Sequence, residues 1–238
     1  MKWFLLLASF SFVSLTTIII GQDTAKQYLQ DGYVKVQSGD FTGAIEDYNK
    51  AIEINPSYGD AYYNRGIAKK NLKDYDGAIE DYTKAIEINP NDAEAYNNRG
   101  NTKGDLKDYS GAIDDYSKAI EINPNYANAY FNRGYAKDDQ KDYSGAIQDL
   151  TKAIELNPND VDAYFNRGFA KYHLKDYDGA IEDYTKTIEI NPNDAEAYFN
   201  RGGAKLKLND KDGACSDWNK AGELGSSDAY NKIKKYCK

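Results

Sequence analysis

Residues 61–90 read AYYNRGIAKKNLKDYDGAIEDYTKAIEINP, and nearly the same phrase returns at 95–124, 129–158 and 163–192. Degenerate copies precede it at 27–56 and follow it at 197–224. Five Asn-Pro pairs fix the period at 34 residues: Asn55-Pro56, Asn89-Pro90, Asn123-Pro124, Asn157-Pro158 and Asn191-Pro192. They hold every proline in the chain. A period of this length marks a stack of one supersecondary unit in place of a conventional single core. Each unit buries its apolar faces against its neighbours and leaves one long surface free to bind.

Two helices fit inside the unit. Tyr62, Gly66, Ala68 and Leu72 share one helical stripe, and Ala78, Ile79, Tyr82, Ala85, Ile86 and Ile88 recur at helical spacing after a break. Asp74 stands where an N-cap belongs, just before the second apolar run. Pro90 stops that run, and Asn91 or Asp92 can cap the next helix. Small residues at Gly66 and Ala78 let the two helices approach closely.

With small residues at Gly66 and Ala78, aromatics at Tyr62 and Tyr82, Ala85, and Pro90 in phase, the unit resembles the tetratricopeptide repeat, a helix–turn–helix of 34 residues. The resemblance covers residues 25–228, as six copies. It implies an all-α fold, a right-handed α-α superhelix of six helix pairs whose first helices line a concave groove. Residues 229–238 then form a C-terminal capping helix, folding back at Gly225-Ser226.

Two departures from the family pattern stand out. The apolar seventh position is Arg in five copies (Arg65, Arg99, Arg133, Arg167, Arg201), and the aromatic eleventh position is Lys (Lys69, Lys103, Lys137, Lys171, Lys205). Position 23 is always Asp: Asp47, Asp81, Asp115, Asp149, Asp183 and Asp217. Arg and Asp in step predict a ladder of partly buried ion pairs between packed helices, because buried charges are normally paired. The alternative is an Arg column that faces a ligand. Position 19 is always Gly (Gly43, Gly77, Gly111, Gly145, Gly179, Gly213), in the first turn of the second helix. A helix-interior Gly costs about 1 kcal/mol against Ala, and close helix approach is one explanation.

The resemblance also places a binding face. The family's groove positions include 5, 6 and 9 of the first helix. Position 5 reads Leu29, Tyr63, Asn97, Phe131, Phe165 and Phe199, and position 9 reads Tyr33, Ile67, Asn101, Tyr135, Phe169 and Gly203. Position 6 is Asn64, Asn98, Asn132, Asn166 and Asn200 in copies two to six. Aromatic anchors edged by amides suit an extended peptide, with rings filling side-chain pockets and amides bonding its backbone. The strip is richest around Phe131, Tyr135, Phe165 and Phe169; alternatively, some of these rings pack into neighbouring helices. Position 5 carries no Lys, and position 2 is mostly acidic (Asp60, Glu94, Asp162, Glu196), so neutral or basic peptides fit better than a carboxylate terminus.

Charge and composition exclude other classes. The 238 residues carry a net charge of −8, which disfavours nucleic acid and anionic lipid surfaces. The single histidine, His173, has no nucleophile or orienting partner in the pattern and reads as a solvent-exposed side chain. No metal-ligand spacing or phosphate-binding loop is present, so no cofactor, no small-molecule substrate and no enzymatic activity are expected. The expected function is a protein-interaction scaffold that binds a peptide or protein segment; the alternative is a structural or self-associating subunit of an envelope assembly.

Lys2 precedes an uncharged run from Trp3 to Ile20, followed by Gly21, which reads as a signal peptide over 1–21. Uncleaved, the run could also serve as a membrane anchor. The mature chain is expected to be exported, periplasmic or secreted. In such a compartment Cys215 and Cys237, on antiparallel helices about the Gly225-Ser226 turn, are candidates for a disulfide worth on the order of 3 kcal/mol; two reduced thiols are the alternative.

Overall fold

The computed structural model describes residues 22–237. The expected signal peptide lies outside them. Among the described residues the chain forms thirteen helices and no strand. They fall into two compact units that meet in sequence between Ile122 and Asn123. The first contains α1 (22–37), α2 (Phe41–Ile54), α3 (Gly59–Asn71), α4 (Tyr75–Ile88), α5 (Ala93–Asp105) and α6 (Tyr109–Ile122). The second contains α7 (Ala127–Asp139), α8 (Tyr143–Leu156), α9 (Val161–His173), α10 (Tyr177–Ile190), α11 (Ala195–Lys207), α12 (Lys211–Glu223) and α13 (Ser227–Tyr236). Within each unit every helix packs on the next one in sequence, and first helices of successive pairs touch (α3 with α5, α7 with α9, α9 with α11). None of the described helices is long and apolar enough to cross a membrane.

Local chemistry sets the boundaries. The Asp74 carboxylate caps α4 by accepting from the Gly77 N–H at 3.1 Å, and Asp40, Asp142, Asp176 and Asp210 repeat the bond. At the other end the Asn of each Asn-Pro pair accepts from the backbone N–H two residues on; Asn89 does so from Asn91 at 3.2 Å. That side-chain turn, with the following Pro, ends the helix. Between helices of a pair the chain passes through a left-handed residue: Lys73, Lys107, Lys141, Lys175 and Asn209 have φ of 63–66°, and Gly39 has 82°.

The glycines at position 8 are steric. A Cβ on Gly66 would sit 2.9 Å from the Tyr82 ring, and one on Gly202 would sit 2.7 Å from Trp218 Nε1. Position 19 also has a physical cause: a Cβ on Gly77 would run into the capping Asp74 carboxylate. The Gly77 carbonyl in turn accepts from Lys69 Nζ at 3.3 Å, and at the equivalent Gly145 a Cβ would also meet Lys137 Cδ at 3.0 Å. Close approach therefore does explain the glycine, but it is approach of a cap and a lysine, not of a second helix backbone.

The core is small and repetitive. Ala146, Leu150, Ala153 and Ala163 are fully buried in one cluster of the second unit, and Ala214, Trp218, Ala221 and Ala229 in another. The latter cluster seats α13 on α12. Tyr230 Oη donates to the Gly222 carbonyl at 3.2 Å, and the Cys215 and Cys237 sulfurs are joined, with Cα atoms 5.6 Å apart.

Candidate functional site

The charged positions resolve first, because they decide which side chains are free. Asp81, 3% exposed, receives a bidentate grip from Arg65, with Nε at 2.8 Å and Nη2 at 2.6 Å, and a third contact from Lys69 Nζ at 2.8 Å. The same constellation forms at Arg99–Asp115, Arg133–Asp149, Arg167–Asp183 and Arg201–Asp217, each with its Lys. The remaining guanidinium arm of Arg99 reaches Thr83 Oγ1 in the preceding helix pair at 3.0 Å, and Arg167 and Arg201 do likewise to Thr151 and Thr185. The guanidinium also lies over the ring at position 4, as Arg65 does over Tyr62 at 5.3 Å. These arginines are tied into the scaffold by their ion pairs, as the ladder reading expects.

On the first-helix face, positions 5 and 9 separate. The position-5 rings are half-buried and pack inward. Phe131 packs on the Leu150 cluster, Phe165 meets Tyr184 edge-on at 5.7 Å, and Phe199 packs beside Trp218 and accepts its indole N–H at its carbonyl at 3.1 Å. In the first unit Tyr63 lies 5.9 Å from Tyr82, and its hydroxyl accepts from Asn98 at 2.7 Å. Position 9 stays open: Tyr33, Tyr135 and Phe169 are 49, 51 and 36% exposed, while Ile67 is half-buried. Among the amides, Asn64 and Asn166 donate to the carbonyls of Asp60 and Asp162, four residues back, at 2.7 and 2.8 Å. Each keeps its oxygen and a second N–H for other partners. Asn132 and Asn200 are half-buried on the same face of α7 and α11.

Other residues in the second unit complete this surface without being legible as site residues. His173 is exposed, as expected, yet not isolated: it stacks on Tyr143 at 4.7 Å and 8° and meets Phe169 at 4.5 Å. Asp138 presents a buried Oδ1 without a hydrogen-bond partner, and burial holds its carboxyl above the usual value, opposed by the charge of His173. A cavity of about 130 Å³ opens between α9, α11 and α13, walled by Phe169, Tyr184, Phe199 and Trp218, with Asn200, Gly203 and Lys232 also lining it.

Helix pairs stacked in phase, with one aromatic face left open, define a repeat scaffold. Tetratricopeptide repeat models match residues 59–92, 93–126 and 161–194, with a further one at 116–148 and 183–216. A TPR repeat model matches 32–73 and 139–175. The chain belongs to the tetratricopeptide repeat family, whose members are protein-interaction scaffolds.

Among solved structures, it is 33% identical to a crystal structure of MamA, covering 72% of this chain and 97% of that one with a TM-score of 0.65. It is 25% identical to YrrB, described as a TPR protein with an unusual peptide-binding site, covering 79% and 97% with a TM-score of 0.71. PilF of Pseudomonas aeruginosa, 22% identical over 90% of this chain and 98% of that one, shares the fold with a TM-score of 0.76. An uncharacterised protein of Methanocaldococcus jannaschii is 44% identical over 41 residues, 17% of this chain; the chain spans about half the length of that relative, 48%.

Proposed function

We propose that this chain is an exported, non-enzymatic interaction scaffold that binds an extended segment of a partner protein along the first-helix face of α7, α9 and α11. One observation carries the reading: Tyr135 and Phe169, one repeat apart, stand 51 and 36% exposed on that face while their position-5 neighbours pack inward. Large rings held out of the core form an apolar patch of the kind that marks interaction sites and supplies binding anchors. Asn132, Asn166 and Asn200 lie beside them, with amide groups suited to a peptide backbone. Export is supported by the apolar run from Trp3 to Ile20 and by the joined pair Cys215 and Cys237, since disulfides persist in oxidising compartments.

The test is selection of a displayed library of random dodecapeptides on the full chain, followed by affinity measurement with synthetic copies of the enriched clones. Tyr135→Ala/Phe169→Ala is expected to weaken binding at least about tenfold, as loss of two anchors does, with an unchanged melting temperature. Wild-type affinity in that variant would move the site off this face. Failure to enrich any peptide would reject the peptide-binding reading itself. Phe131→Ala and Phe165→Ala are the wrong probes, because truncating those rings opens the core.

A further inference from the structure

Position 9 carries a side chain in five copies: Tyr33, Ile67, Asn101, Tyr135 and Phe169. In the sixth it is Gly203, inside α11. A glycine there costs about 1 kcal/mol against alanine. Gly202 beside it has a steric reason, the Trp218 ring, but a Cβ on Gly203 would meet nothing within 4 Å. What the missing side chain leaves is the cavity of about 130 Å³ between α9, α11 and α13. That is close to the roughly 150 Å³ of an apolar cavity that takes up benzene. The space accommodates one ring or branched aliphatic side chain, against Phe169, Phe199 and Trp218.

Charge names the occupant's other feature. The chain as a whole is at −8, yet from residue 205 onward eight lysines face five carboxylates. Lys232 lines the cavity from α13, and Lys207 ends α11; among the described residues neither forms an ion pair. Both converge on Tyr236: its hydroxyl is held below its ordinary value first by the hydrogen bond from Lys235, with Lys232 and Lys207 adding to the effect. The cavity is therefore walled largely by rings, with His173 on its α9 side and a cation without a counter-charge, Lys232, on its α13 side.

We infer that this cavity is the anchor subsite for an acidic peptide segment. One aromatic or branched aliphatic side chain enters at Gly203, and a carboxylate flanking it pairs with Lys232. This rests on the peptide-binding reading and sets its specificity against the first expectation of neutral or basic segments. That expectation came from the acidic position-2 residues of the repeats, whereas Lys232 belongs to α13, outside the repeat pattern.

The same dodecapeptide selection tests it on the full chain, with Gly203→Phe and Lys232→Glu beside the wild type. Wild type is expected to enrich peptides in which Asp or Glu flanks an aromatic or branched aliphatic residue. A fluorescein-labelled synthetic copy of the strongest clone should bind at least tenfold more weakly to Gly203→Phe. It should bind several-fold more weakly to Lys232→Glu, and replacing its acids with lysine should restore affinity for Lys232→Glu. Gly203→Phe is expected to keep or raise the melting temperature, which separates a filled subsite from unfolding; if it does unfold the chain, the charge swap at exposed Lys232 decides alone. The inference falls if the enriched peptides lack acidic flanks. It also falls if a folded Gly203→Phe, or Lys232→Glu, binds them as wild type does. Either result, with binding still lost in Tyr135→Ala/Phe169→Ala, leaves the scaffold reading intact and removes only the subsite.

Discussion

Removing one carboxylate of the ladder should damage the second unit far more than an ion pair usually does. Asp183 is 2% exposed and is held by Arg167 Nε at 2.9 Å, Arg167 Nη2 at 2.6 Å and Lys171 Nζ at 2.8 Å. Its two cations are themselves mostly covered, with side chains 15 and 17% exposed. Asp183→Ala leaves both without a counter-charge and without full access to water, a defect that costs about 3–5 kcal/mol. By comparison, the Lys186–Glu189 pair, 55% exposed on both partners, contributes no more than about 0.5 kcal/mol. If the unit from Asn123 onward unfolds as one body, the unfolding entropy of about 0.24 kcal/mol/K for its roughly 116 residues turns a 4 kcal/mol loss into a drop of about 16 °C. Guanidinium unfolding followed by far-ultraviolet circular dichroism measures the loss, and hydrogen exchange over α9 and α10 locates it. Arg167→Met/Lys171→Leu/Asp183→Leu should recover most of the stability, because packed apolar groups replace a buried ion cluster at little net cost. A loss below 1 kcal/mol in Asp183→Ala would refute the reasoning, as would a triple variant no more stable than the single one.

Lys141 is left-handed, with φ of 65°, in the α7–α8 turn. Lys141→Gly should stabilise the second unit by about 1 kcal/mol, whereas Gly39→Ala, at φ of 82°, should destabilise the first by a similar amount, both read by thermal unfolding. Asp138→Asn should stabilise the chain by on the order of 1 kcal/mol at neutral pH, because the buried Oδ1 has no partner for its charge. The sign follows from its raised carboxyl, due first to burial. The folded state holds this proton more tightly than the unfolded chain, so the group's contribution is present below the ordinary value of 3.8 and is lost as pH rises through the folded value. Melting curves at several pH values should show the Asn variant's advantage growing as pH rises; a constant advantage would contradict it.

Much of the scaffold was legible because each copy repeats the same local chemistry. The Asp74 cap, the stop at Pro90 and the Arg65–Asp81 pair all follow from residue types at fixed spacing. Depth was not legible. Phe165 and Phe169 are one helical turn apart and share a face, so periodicity gives them the same status. The difference arises from what lies over them: Tyr184 of the next helix meets the Phe165 ring, whereas Phe169, with His173 of its own helix against it, stays 36% exposed. The reason for Gly77 was hidden in the same way, since it depends on where the Asp74 carboxylate and Lys69 Nζ lie in three dimensions.

In a chain of near-identical units, the common residues describe the scaffold, and the departures carry the information about a particular site. Gly202 and Gly203 are adjacent and chemically identical, yet they belong to different arguments. Gly202 continues a column that runs through Gly66, Gly100, Gly134 and Gly168, each with a neighbour inside the space a Cβ would need. Gly203 breaks its column, weakens its helix and is crowded by nothing. The same holds for lysine: Lys205 continues the ladder and is spent on Asp217, whereas Lys232 stands outside the repeat and lines an apolar cavity. Two breaks in the pattern that meet at one cavity are independent of the repeat's own folding requirements. If both served only to end the stack, filling Gly203 would stabilise the chain and change nothing else; loss of peptide binding alongside retained stability is the outcome that a mere end cap does not produce.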